Sequence, residues 1–111
     1  MFSLDRSLQK LLCLLALGCA LQAPAKTVRV LTIGNSFSRD AVQFLREVTA
    51  AAGHKIIVGQ AMIGGCDFER HMRHVNAFEA NREDPEGRPY QAKAKSLFDM
   101  LAEDKWDYVT I

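Results

Sequence analysis

Six residues, Val28-Arg29-Val30-Leu31-Thr32-Ile33, limit the fold more than any other stretch of the chain. They are β-branched and nearly all apolar. A strand with one wet face alternates polar and apolar positions, whereas a run like this reads as a strand buried on both faces. Such a strand needs cover on two sides of its sheet, and helices of the same chain can supply it.

The residues that follow have the right periods. Ala41, Phe44, Leu45, Val48 and Ala52 recur at steps of three and four, with Arg39, Asp40, Gln43, Arg46 and Glu47 between them. This predicts one helix, capped by Ser38 and closed by Gly53. Lys55–Ile63 reads as a second strand, irregular at Gly59 and ending in Gly64-Gly65. A second helix begins near Asp67, with Phe68, Met72, Val75 and Phe78 inward. Asp84-Pro85-Glu86-Gly87 suits a type I turn. A third helix is expected from Gln91 to Asp104, with Ala94, Leu97, Phe98 and Leu101 inward. Trp106 plugs the junction before a third buried strand, Asp107–Ile111. Strands alternating with helices predict an α/β fold with a parallel sheet covered on both faces, its site at the C-terminal strand ends.

The first 25 residues are of another kind. Arg6 and Lys10 precede the apolar run Leu11–Leu21, and Ala23-Pro24-Ala25 supplies an Ala-x-Ala exit. This predicts a secretory signal peptide cleaved after Ala25, hence an exported protein without a transmembrane segment after cleavage. A variant reading makes Cys19 a lipoprotein site. Cys13 and Cys19 fall in the leader, so the remainder keeps only Cys66 and cannot form an internal disulfide. A net charge of +1 gives no basic patch for nucleic acid.

At the end of the first strand stands Val30-Leu31-Thr32-Ile33-Gly34-Asn35-Ser36-Phe37-Ser38-Arg39-Asp40. A serine just past a strand, at a glycine turn that opens a helix, presents its hydroxyl where backbone N–H groups converge. Those donors can hold a developing oxyanion. The plainer reading makes Ser36 or Ser38 a helix cap. A nucleotide-binding reading is weak, since the loop lacks both glycine-rich phosphate spacings.

The same stretch resembles the first sequence block of the SGNH/GDSL hydrolases, in which a strand runs into Gly-Asp-Ser or Gly-Asn-Ser. Met62-Ile63-Gly64-Gly65-Cys66-Asp67-Phe68-Glu69-Arg70-His71 resembles the second block, and Lys105-Trp106-Asp107-Tyr108-Val109-Thr110-Ile111 the approach to the third. The set is similar to a little-characterised secreted bacterial branch. The resemblance implies a three-layer α/β/α, flavodoxin-like fold and a serine esterase for carbohydrate or other small acyl esters, with no cofactor and no metal. It makes Ser36 the nucleophile, and the Ser36 N–H and the Gly65 N–H oxyanion donors, with Gly64 the adjacent candidate. Asn35 replaces the usual Asp and fixes the turn.

The family's third oxyanion donor, an Asn after the third strand, and its late Asp-x-x-His do not occur in residues 1–111. The expectation is therefore the N-terminal part of the domain, truncated after the third strand and inactive alone; losing the base of such a triad costs about 10⁶ in kcat. His71 and His74, three apart, are the tempting substitutes as base or metal pair. No third ligand accompanies them, and a packed role for His71 and a solvent-facing one for His74 are expected. His54 is read as a neighbour of the first helix's C-terminus. Cys66 is read as a small buried residue rather than a reactive thiol. The reading from another class is a non-catalytic exported glycan-binding or interaction module on the same fold.

Overall fold

A computed structural model describes residues 5–20 and 23–111. Strands β1 (Thr27–Gly34), β2 (Lys55–Met62) and β3 (Tyr108–Thr110) form one parallel sheet in the order β2-β1-β3. The pairing runs without a slip from Thr27↔Lys55 to Gly34↔Met62, and β3 joins at Val30↔Tyr108. The chain is thus an α/β protein with β1 at the centre of the sheet. The β1-to-β2 crossover moves to one side, and the β2-to-β3 crossover steps back over β1. Right-handed crossovers in opposite directions carry their helices to opposite faces.

One face holds the core. Leu31, Ile33 and Ala61 meet Tyr90 and Met100, with Ile63, Leu97 and Trp106 against them. Thr32, which points the other way, is also buried. Gly59 causes no break in register. A Cβ there would stand 2.5 Å from the Trp106 ring, so the glycine makes room for the indole. Trp106 is tied by its Nε1–H to the Met100 carbonyl at 3.0 Å, the plug expected at that junction.

The first expected helix is two: α2 (Ser36–Ala41) and α3 (Leu45–Ala51). Gln43 N–H bonds to the Asp40 carbonyl and Leu45 N–H to the Val42 carbonyl, a tighter turn that interrupts the 3.6-residue period. Phe44 and Val48, expected inward, are therefore exposed, and neither short helix has a buried residue. Gly53 ends α3 with φ +77°, as its position suggested.

Helix α4 (Phe68–Ala80) starts at the expected position, and the structure makes Asp67 its cap, the carboxylate accepting from Arg70 N–H. Its buried face is rotated from the expected one. His71, His74 and Phe78 are inside, while Phe68 and Met72 are exposed. The cause is the short 3-10 turn Pro85–Gly87, which docks on α4 so closely that a Cβ on Gly87 would meet Phe78 backbone at 2.7 Å. His74, expected to face solvent, is covered by this turn and bonds through Nδ1 to the Glu86 carbonyl at 2.6 Å.

The third expected helix is reduced to α6 (Leu97–Ala102), opened by a reciprocal Ser96–Asp99 capping box. Met100, not Phe98 or Leu101, is its buried residue. Ahead of it, α5 (Tyr90–Lys93) is a left-handed turn, with φ of 48°, 59° and 64° at Gln91, Ala92 and Lys93. Tyr90 and Lys95 close it by exchanging backbone hydrogen bonds at 3.0 Å. Each such non-glycine residue costs on the order of 1–3 kcal/mol, which the surrounding core must offset. Strand β3, expected to be buried, is exposed along its length: it lies at the sheet edge, and none of its side chains joins the core.

Helix α1 (Arg6–Ala20) leaves Leu8, Leu11, Leu12, Leu14 and Leu15 exposed. Among the described residues no helix is long and apolar enough to cross a membrane. The proposed lipid-bearing side chain of Cys19 and part of the expected cleavage region lie outside the described residues.

Candidate functional site

The chain leaves β1 through Gly34, Asn35 and Ser36. Asn35 is the N-cap of α2: its side-chain oxygen accepts from Phe37 N–H at 3.0 Å. Ser38 is therefore not the cap. Its hydroxyl turns back and donates to the Asn35 carbonyl at 2.7 Å. That placement requires glycine at 34, where a Cβ would approach the Ser38 oxygen to 2.7 Å. Ser36 is the first residue of α2 and half-buried. Its hydroxyl has no hydrogen-bond partner among the described residues.

The second glycine turn follows β2. Cys66 N–H bonds to the Ile63 carbonyl at 3.2 Å, and between them Gly65 takes φ +62°. A turn with positive φ at its third residue calls for glycine there. Two hydrogen bonds join this turn to the first. Ile63 N–H donates to the Gly34 carbonyl at 3.1 Å, and Asn35 Nδ2–H donates to the Cys66 carbonyl at 2.8 Å. Ser36 and Gly65 thus sit one residue from the two ends of the Asn35–Cys66 bond. Among the described residues, neither of their backbone N–H groups donates to a protein acceptor. Gly64 is exposed, and a Cβ added there would meet nothing within 4 Å.

Cys66 is 2% exposed. Burial raises its thiol above the ordinary value of 9.0, so it is a protonated core group rather than a nucleophile.

The histidines are committed elsewhere. His71 is 4% exposed; its Nε2 lies 3.0 Å from the Gly34 carbonyl and its Nδ1 2.7 Å from the Tyr90 hydroxyl. A carbonyl only accepts, so Nε2 carries the proton, and Nδ1 accepts from the Tyr90 O–H. Burial lowers the His71 pKa below 6.5 and keeps the ring neutral. Burial also pushes the Tyr90 hydroxyl up to about 12. His74 donates from Nδ1 to the Glu86 carbonyl, and its Nε2 is buried without a partner among the described residues. His54 accepts at Nδ1 from Lys26 N–H at 3.1 Å and so anchors the entry to β1. No group of three His, Cys, Asp or Glu able to hold a metal occurs among the described residues.

Sequence reasoning missed Tyr90 altogether and did not see what His71 does. The available signal was the spacing of His71, His74 and Phe78, which is one helical stripe.

A separate groove does not have Ser36 in its lining. It holds about 930 Å³ along the outer edge of β2, over Ile57–Gln60. Arg39 and Asp40 line it from α2, and Arg46 from α3. Gln91, Glu103, Asp104 and Trp106 also line it.

No curated protein and no solved structure matches the chain. Residues 29–111, from the second residue of β1's apolar run through both glycine turns to β3, match the model of a family described as a domain of unknown function, DUF4886. The chain belongs to that family.

Proposed function

We propose that this protein is an exported serine esterase of the SGNH type, acting on carbohydrate or other small acyl esters. Ser36 attacks the ester carbonyl. The N–H groups of Ser36 and Gly65 receive the oxyanion, and a histidine outside residues 1–111 takes the serine proton. The observation that supports this most is the Asn35–Cys66 hydrogen bond, which draws together two turns that each carry a backbone N–H without an acceptor among the described residues. Preorganised N–H donors of this kind lower the barrier to acyl transfer. The unpartnered hydroxyl of Ser36 and the Gly-Asn-Ser resemblance agree with the reading. Export rests on the leader pattern of residues 1–25.

The test is fluorophosphonate labelling, with hydrolysis of p-nitrophenyl acetate and acetylated xylan, using the protein as its host exports it. Wild type labels and turns over, and Ser36→Ala does neither. Full labelling and activity in Ser36→Ala overturns the nucleophile assignment. A wild-type protein that binds glycan but neither labels nor hydrolyses is the non-catalytic module instead.

A further inference from the structure

The carbonyl of Gly34 accepts two hydrogen bonds, which uses both of its lone pairs. Ile63 N–H comes from the neighbouring strand end, and His71 Nε2–H comes from α4. A peptide unit is planar, so fixing its oxygen also fixes the direction in which the chain enters Asn35. Ser36 is the next residue.

His71 is itself held. Its other nitrogen accepts from the Tyr90 hydroxyl, and the two rings lie nearly parallel, 13° apart with centroids at 5.8 Å. Tyr90 is 1% exposed, and its backbone is locked by the reciprocal bonds to Lys95. The left-handed residues Gln91, Ala92 and Lys93 allow that closure. A strained turn thus ends in a hydrogen-bonded line, Tyr90 to His71 to Gly34, which stops at the residue before the Asn35–Ser36 turn.

We propose that His71 is a positioning residue for the reaction at Ser36: its Nε2–H, backed by the Tyr90 hydroxyl, holds the Gly34 carbonyl and so aims the turn that carries the serine. The inference rests on the reading of Ser36 as nucleophile. His71 has no role as the base, because both ring nitrogens are engaged. Residues that position a reacting group act on turnover more than on substrate binding.

Three variants separate positioning from simple support of the fold. His71→Phe keeps the ring's bulk and loses both hydrogen bonds. His71→Gln retains an N–H donor. Tyr90→Phe leaves the His71 to Gly34 bond without its backing. In variants shown to be folded by circular dichroism, His71→Phe lowers kcat on p-nitrophenyl acetate and the fluorophosphonate labelling rate at least tenfold, with KM within twofold. His71→Gln recovers part of that loss, and Tyr90→Phe shows a smaller one. A folded His71→Phe with wild-type kcat overturns the proposal. Should His71→Phe fail to fold, His71→Gln and Tyr90→Phe are read by hydrogen exchange. Exchange at residues 34–37 and 63–66 rises at least tenfold while residues 28–31 keep their protection; unchanged exchange at both turns overturns the clamp. A wild-type protein that neither labels nor hydrolyses overturns the Ser36 reading instead, and the exchange result distinguishes that failure from failure of the clamp.

Discussion

Asn35 bonds in two directions from one carboxamide: its oxygen caps α2 at Phe37 N–H, and its nitrogen donates to the Cys66 carbonyl across 31 residues of sequence. An aspartate could make the first bond and, when ionised, not the second. Asn35→Ala loses both. A lost N-cap costs about 1 kcal/mol, and a lost hydrogen bond that leaves its partner unsatisfied costs about 1–3 kcal/mol. Urea unfolding should show Asn35→Ala destabilised by about 2–4 kcal/mol. Asn35→Asp should lie between it and wild type near neutral pH and recover as the carboxyl protonates. Equal stability of Asn35→Asp and wild type near neutral pH would remove the Cys66 bond from the account.

The glycines should not respond alike to alanine. At Gly65 the obstacle is φ +62°, and about 1–2 kcal/mol of strain is expected. At Gly87 it is contact with Phe78 backbone, which cannot swing aside, and overpacking of this sort costs about 1–3 kcal/mol. Gly64 has neither obstacle and should change by no more than about 0.5 kcal/mol. Thermal melts of the three alanine variants check the order; a Gly64→Ala as damaging as Gly65→Ala would contradict the turn as described.

Stability should form a plateau between two pH limits. His71 is held below 6.5, so the unfolded chain binds a proton there that the folded chain resists. Its contribution is complete above pH 6.5 and shrinks as pH falls below that value. Cys66 is raised from 9.0 and Tyr90 from 10.0, so the unfolded chain loses those protons first. Their contributions are complete below about pH 9 and shrink as pH rises. Each group acts with a slope of at most about 1.4 kcal/mol per pH unit. Urea titrations across pH should show a shallower acid limb in His71→Gln and a shallower alkaline limb in Tyr90→Phe.

Much of the frame was legible because its signals are local. The β-branched run of β1, the start of α4 near Asp67, Gly53 after α3 and the Asp84–Gly87 turn each carry their own chemistry. The break at residues 42–44 carries none: Ala41, Phe44, Leu45 and Val48 are spaced for an unbroken helix. Nor do Gln91, Ala92 and Lys93 favour positive φ; Tyr90 and Lys95 impose it from outside. His74 misleads for the same reason, since the covering turn at Pro85–Gly87 lies beyond the helix's own pattern. At the site, the two glycine turns could be read from residue type and order. The link through Asn35 and the line from Tyr90 to Gly34 could not, because they join segments distant in sequence.

The strand order makes the two margins of the sheet unequal. Along β2 the unpaired backbone runs in a groove lined by Arg39, Arg46, Glu103 and Asp104. Charges beside an edge deter a second strand from adding to it. Along β3 the flank is Tyr108, Val109 and Ile111, all exposed and uncharged. A strand set beside β2 would therefore meet charge, and one set beside β3 would meet exposed apolar side chains.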